Sequence, residues 1–247
     1  MLRVGTSNDE SGNVPESSRA WFVAEKMLAE ATGEPVETIL KRGWPNESYA
    51  LAVSRWMEEY RPEIVVLQVN NFWYGHESVP LWFERRFGRA GKKVNSLTDR
   101  VGKTEWFAES RFGLALSRGL GRMLPSATHF SIKEIVACME AAMRKVLAEE
   151  GSILLVRGNE NWAQLPFASE RQNRRNLARN AQMSAAMQQL CDRLHVPYFE
   201  RGLVPKDEMG IVLNGARWHN SAEGERRIGE FDGEAMLAAF EAARTSA

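Results

Sequence analysis

Apolar positions in this chain recur at two periods, and the two take turns from the first residues onward. A short apolar run at residues 2–5 stops at a polar stretch, residues 6–15. Trp21, Ala24, Leu28 and Ala31 then return at helical spacing, with Ser17 or Ser18 placed to cap the helix and Gly33 to end it. Residues 36–40 read as a second strand. Asn46 stands as the N-cap of a helix whose apolar stripe is Tyr49, Val53, Trp56, Met57 and Tyr60. Pro62 precedes Ile64-Val65-Val66-Leu67-Gln68-Val69, a nearly continuous apolar run of the kind that a parallel sheet buries on both faces.

The alternation lapses over residues 75–128, where Trp82, Phe83, Phe87, Trp106, Phe107 and Phe112 are scattered among arginines, lysines and glycines. Such a mixture predicts an insertion over the sheet's edge, acting as a lid on a site below. Regularity then resumes: a helix over 132–149, a strand over 153–156, a helix over 169–194, a strand over 196–199, and a helix over 222–243 with a break near Gly233. Strands alternating with helices predict an α/β fold with a mostly parallel sheet. No repeat, low-complexity tract or linker divides the chain, so residues 1–247 read as one domain.

Charge narrows the partners. Lysine plus arginine and aspartate plus glutamate number 32 each, so no net charge points to nucleic acid or a membrane surface. The two cysteines, Cys138 and Cys191, lie in apolar helical context and predict free thiols, with no Cys/His cluster for zinc. No apolar run has membrane-spanning length, and residues 1–20 lack a charged-then-apolar leader pattern. Together these predict a cytoplasmic protein with no nucleic-acid or membrane partner and no zinc site.

Reactive side chains of parallel sheets gather where strands end and loops begin. Three polar loops here follow strands: Gly5-Thr6-Ser7-Asn8, Arg42-Gly43-Trp44-Pro45-Asn46-Glu47-Ser48, and Asn70-Asn71-Phe72-Trp73. A fourth polar segment, Arg217-Trp218-His219-Asn220-Ser221-Ala222-Glu223-Gly224, precedes the last helix. A hydroxyl nucleophile, an imidazole base and several N–H donors are what acyl transfer requires.

In these four segments the chain resembles the SGNH (GDSL-like) hydrolases. Gly5-Thr6-Ser7 resembles that family's glycine-aspartate-serine block. Residues 41–46 resemble its glycine-bearing second block, Gln68-Val69-Asn70-Asn71 its Gly-x-Asn-Asp block, and residues 216–224 its Asp-x-x-His block with the following Asn/Ser-x-x-Gly turn. The blocks occur in family order and span residues 4–230, leaving the middle insertion outside. The resemblance implies a three-layer α/β/α sandwich around about five parallel strands, flavodoxin-like in arrangement. It implies ester hydrolysis without a cofactor, with Ser7 as nucleophile and His219 as base. The oxyanion would be held by N–H groups of Ser7 and Asn46 and by the side-chain amide of Asn70 or Asn71, with Gly43 matching an earlier glycine of the second block.

Four residues depart from the pattern. Thr6 replaces aspartate in the first block, Asn46 falls at the oxyanion glycine, and Gln68 replaces the glycine of the third block. Ala216 stands three residues before His219, where the orienting aspartate belongs. The resemblance therefore implies a Ser-His dyad, or an irregular triad completed by a backbone carbonyl, Asp207 or Glu208. Thr6 and Ala216 also keep open a non-catalytic binding protein on the same scaffold, and an acyltransferase is a further alternative. A nucleotide binder is disfavoured, because no glycine-rich phosphate loop follows the first strand.

Other candidates read more plainly. Trp44, Trp73 and Trp218 adjoin site loops and predict an aromatic pocket wall for an acyl chain or a sugar face. His76, His129 and His195 have no partner at informative spacing and read as structural or exposed. His219 and Glu223 share a metal-compatible i, i+4 spacing but lack a third ligand. Arg171, Arg174, Arg175 and Arg179 share one helix face, which reads as solvated.

Overall fold

In a computed structural model of the chain, residues 1–5, 14–75, 77–90, 92–93, 115, 119, 123–159, 161–162, 169–205, 207–214 and 219–246 are described. Five strands form a wholly parallel central sheet: β1 (Leu2–Gly5), β2 (Ile39–Arg42), β3 (Ile64–Gln68), β4 (Ile153–Arg157) and, as the fifth, the short strand Tyr198–Phe199. Their spatial order places β1 between β2 and β3, with β4 and Tyr198–Phe199 beyond β3. The predicted α/β/α sandwich with about five parallel strands is the observed fold.

Side-chain alternation in the buried strands separates two cores. Val65, Leu67, Leu154 and Val156 point to one face and Ile64, Val66 and Leu155 to the other. The first face carries α2 (Tyr49–Tyr60); two further helices, α5 (Ile132–Leu147) and α6 (Glu170–Leu194), follow on the same side. Between α2 and α5 the chain forms α3 (Asn71–Tyr74) and α4 (Val79–Phe87). The second face carries α1 (Ala20–Thr32) and, following the four-residue α7 (Met209–Val212), the last helix, α8 (Ala222–Ser246). Serines begin the two helices of the first face that sequence delimits best. Ser131 with Glu134, and Ser169 with Gln172, form complete capping boxes.

Several boundaries differ from the sequence reading, each for a tertiary reason. Ser17 and Ser18 lie in a 3-10 turn, Glu16–Ser18, and α1 begins at Ala20 without a local side-chain cap. Its first-turn N–H, that of Ala20, is instead satisfied from α8 by Glu225 at 2.9 Å. Gly33 does end α1, in the left-handed conformation at φ 72°. The second strand covers Ile39–Arg42, because it lies on the sheet's edge in register with β1, where Lys41 and Arg42 are tolerated. Gly233 does not break α8, which is continuous. A Cβ on Gly229 would lie 2.5 Å from Val23 Cβ, and one on Gly233 would lie 2.8 Å from Met27 Sδ. These glycines let α8 approach α1 closely, and the helix stays intact.

Most of the predicted insertion lies outside the described residues. Its two ends meet: Ser78 and Ala127 exchange backbone hydrogen bonds of 2.9 and 3.1 Å. Beside them the buried Glu77 carboxylate binds Arg175 (2.8 Å) and Arg179 (2.6 Å) from α6, and accepts from the Ser126 hydroxyl at 2.6 Å. Half of the arginine row read as solvated is therefore spent on Glu77, while Arg171 and Arg174 are exposed.

Candidate active site

In a sheet of this order the chain leaves β1 and β3 in opposite senses, and a crevice opens at their carboxyl ends. Three of the four candidate loops leave from strand ends there, at Gly5, Arg42 and Gln68. Ser7 and Trp218 lie outside the described residues, as does Ala216.

Gly43 is required by what lies against it, since a Cβ there would fall 1.9 Å from the Tyr49 ring. The next residues form a tight turn. Asn46 Oδ1 accepts from the Ser48 N–H (3.0 Å) and hydroxyl (2.7 Å), and the Asn46 carbonyl accepts from the Tyr49 N–H. Asn46 thus shapes the turn before α2, and Ser48 holds the cap position expected for it. The Asn46 N–H, expected at the oxyanion, donates to the Trp44 carbonyl at 2.7 Å.

After β3 the two asparagines separate in role. Asn70 caps α3: its side-chain oxygen accepts from the Phe72 N–H at 2.9 Å, which leaves the amide NH2 as the donor half of the group. Asn71 Nδ2 donates instead to Asn180 Oδ1 on α6 at 2.5 Å. Asn176 and Asn180 are buried beside it on the same helix face. The helical spacing of this polar stripe, running on into Met183, Met187 and Leu190, is the sequence signal for it.

Trp73 corrects the aromatic-wall expectation. It is 2% exposed and packs edge-on against Tyr49 in the core, 6.4 Å between ring centroids. Trp44 is 41% exposed, and the rings around it are ones the sequence did not single out. Its centroid lies 5.3 Å from His129, 5.5 Å from Phe130 and 6.1 Å from Phe72, and Phe72 lies 4.7 Å from His129. Phe72 is itself 42% exposed. His129 is half-buried; burial, with Arg85 nearby, holds its imidazole below the usual value. Proximity in sequence drew attention to Trp73, yet α3 turns that ring inward and leaves Phe72 outside.

His219 belongs to a two-residue strand, His219–Asn220, that pairs antiparallel with Leu213–Asn214. Two anchors hold this hairpin to α8. Ser221 donates its hydroxyl to the Ile211 carbonyl at 2.5 Å and accepts from the Gly224 N–H at 3.0 Å. Asn220 Nδ2 donates to Glu225 at 2.8 Å. Gly224 is needed here because a Cβ would lie 2.3 Å from the Val212 carbonyl oxygen.

The nearby acids are largely committed. Glu208 pairs with Arg227 at 3.2 Å, and Glu223 binds Arg226 and Arg227, whose hydrogen bonds pull its carboxyl down to about 2. That pairing also occupies the residue at metal spacing from His219. Asp207 is exposed. Among the described residues no three His, Cys, Asp or Glu side chains cluster as a metal would need. A cavity of about 470 Å³ lies at the opposite, amino edge of the sheet, lined by Arg61, Glu63, Glu149 and Ser152 among others, and none of the candidate residues borders it.

No protein-family model matches the sequence, and no curated protein matches it. Solved structures match in fold. A carbohydrate acetylesterase from Sinorhizobium meliloti, Est24, superposes with a TM-score of 0.53 at 14% identity, over 96% of this chain and 97% of that one. An aryl esterase from M. smegmatis gives 0.54 at 13% identity over 96% and 98%. The structure of TesA gives 0.53 at 11% identity over 96% and 98%. The chain thus shares the overall α/β fold of these solved structures.

Proposed function

We propose that this protein is a serine esterase, with Ser7 as nucleophile and His219 as base. The observation that supports the reading is that the strands preceding three of the block-bearing segments end at the β1/β3 crevice, with the Asn70 cap on α3 beside it. Ser7 Oγ attacks the acyl carbon while His219 takes its proton. The C–O bond to the alcohol then breaks, the alcohol leaves with that proton, and water cleaves the acyl-enzyme by the same route. The Ser7 N–H and the Asn70 amide stabilise the oxyanion. Asn46 joins them only if its N–H leaves the Trp44 carbonyl. Asn71 is spent on Asn180, which favours Asn70 as the site amide.

The substrate is a short acyl ester or an O-acetylated carbohydrate. Trp44, Phe72 and His129 offer it an aromatic flank beside Asn70, and Trp218 is the further candidate for that wall. With Ala216 in place of the orienting aspartate, the base works as a dyad or with a substitute acceptor on its second nitrogen, a backbone carbonyl or Asp207, since Glu208 pairs with Arg227. The role proposed for the insertion, whose ends meet at Ser78 and Ala127, is to limit substrate size.

The test combines fluorophosphonate labelling with hydrolysis of p-nitrophenyl acetate. Wild-type protein should label and turn over; Ser7→Ala should do neither and keep its thermal midpoint. Ala216→Asp should raise turnover if the missing carboxylate limits the rate. Absence of labelling and turnover in the wild type would favour a non-catalytic ester-binding protein, the reading that Ala216 itself suggests.

A further inference from the structure

We infer that α4 is a docking surface for anionic lipid, with Trp82, Phe83 and Phe87 entering the membrane interface and the cations around them meeting the headgroups. A helix that carries a run of large apolar residues ordinarily turns them to a core. α4 (Val79–Phe87) has no buried residue. Its three rings pack on one another instead, with centroids 5.1 Å apart for Trp82 and Phe83, 5.7 Å for Phe83 and Phe87, and 6.1 Å for Trp82 and Phe87. Phe87 is 54% exposed, and Trp82 and Phe83 are half-buried. Three large rings gathered at the surface mark a contact surface rather than a scatter of single apolar residues.

Charge says what covers it. Arg85, Arg86, Arg89, Lys92 and Lys93 are all exposed, and Glu84 is the single acid between residues 79 and 93. The chain as a whole has no net charge, so its totals conceal this local excess. Arg86 stands three and four positions from Phe83 and Trp82, so it rises from the aromatic side of the helix. Gly88, at φ 55°, ends α4, and a further helical turn follows in which the Lys92 N–H donates to the Gly88 carbonyl at 2.9 Å. Aromatic rings flanked by long basic side chains make up a helix that lies in a membrane interface: the rings enter the boundary between headgroups and acyl chains, and the cations reach the lipid phosphates. The same cations favour an anionic surface over a neutral one and oppose a second copy of α4, which would bring like charges together. The helix is also held ready. Ser78 caps it through the Leu81 N–H at 3.2 Å and pairs with Ala127, and Arg85 donates to the His129 carbonyl at 2.5 Å. A surface already ordered has less entropy to lose on binding.

α4 lies outside the residues proposed for catalysis, so the test is independent of the esterase reading. The full chain is sedimented with vesicles of equal parts phosphatidylcholine and phosphatidylglycerol, and with vesicles of phosphatidylcholine alone. Wild-type protein should bind the anionic vesicles at least about 10-fold more tightly, and raising the salt from about 0.05 to about 0.5 M should remove most of that preference. Phe83→Ser with Phe87→Ser removes two rings, and Arg86→Gln with Arg89→Gln removes two charges. Each pair should weaken binding roughly 10- to 100-fold. Both should keep the wild-type thermal midpoint, since α4 has no buried residue. Leu51→Ser, which alters a 62% exposed leucine of α2, should bind as wild type does. Brominated acyl chains should quench Trp82, read among the eight tryptophans as the difference from Trp82→Phe. Failure to bind anionic vesicles, equal binding to both kinds, full binding by either paired variant, an equal loss in Leu51→Ser, or quenching unchanged in Trp82→Phe would overturn the inference. So would a concentration-dependent dimer that the ring variant abolishes while vesicles bind nothing, which would make the occupant a second copy of the chain.

Discussion

Asp232 on α8 is fully buried and shared by two arginines of the sheet. Arg3 Nη1 donates to one oxygen at 2.7 Å and Arg157 Nε to the other at 2.7 Å, with all three side chains 3% exposed or less. Replacing Asp232 with asparagine keeps the shape, removes the charge, and turns an NH2 toward a guanidinium donor. A charge-assisted hydrogen bond contributes about 1.5–3 kcal/mol, and breaking a buried ionic group from one side costs about 3–5 kcal/mol. Two such bonds share this carboxylate, so the loss should reach about 3–5 kcal/mol. Whole domains are stable by about 5–15 kcal/mol, so this is a large fraction. At about 2–4 °C per kcal/mol for a domain of this size, the thermal midpoint should fall by roughly 6–20 °C. Urea unfolding followed by tryptophan emission and by circular dichroism measures the same difference. A change under about 1 kcal/mol, with both probes coincident, would show that the arginines are held by other groups and would refute the argument.

Three further outcomes follow from the geometry. Gly229→Val should destabilise by about 1–3 kcal/mol, by driving a side chain into Val23 and the Ala20 carbonyl and prising α8 from α1; an unchanged unfolding midpoint would contradict the close approach. His129 should titrate below 6.5 in the folded protein, as read from its imidazole NMR signals. The unfolded chain takes up that proton at higher pH, so His129 costs no stability above about 6.5 and erodes it as the pH falls below that value; a folded midpoint at or above 6.5 would reverse the sign. Burial raises the Cys138 thiol to about 11 and the Cys191 thiol to about 12, so neither should react readily with a thiol-directed disulfide reagent near pH 8 until the protein unfolds. Rapid modification of both in native protein would refute that burial.

The strand and helix pattern was legible because its causes are local. Ile64 to Val69 declares itself by composition, and Ser131 and Ser169 announce helices three residues ahead through Glu134 and Gln172. The misread boundaries are those set by distant groups. Ala20 starts α1 because a carboxylate on α8 accepts its N–H, and Gly233 sits mid-helix because Met27 fills the space where its side chain would be. Likewise Trp73 and Phe72 are adjacent and similar, and only the turn after Asn70 decides which of them meets the core.

What the sequence determined on its own was the class of fold, an alternation of strands and helices around a parallel sheet, and the strands from whose ends three candidate loops leave. These follow from periodicity and from residues within a few positions of each other, the scale on which backbone sterics and capping act. Tertiary structure decided which polar residues are occupied and by what. Asn71 is taken by Asn180, Glu208 by Arg227, Glu77 by Arg175 and Arg179, and Asp232 by arginines from two strands. It also assembled a flank from Trp44, Phe72 and His129, residues drawn from three segments. A hydrogen bond or ring contact depends on separation in space, and for these pairs the sheet order and helix packing set that separation, over intervals that no local pattern spans.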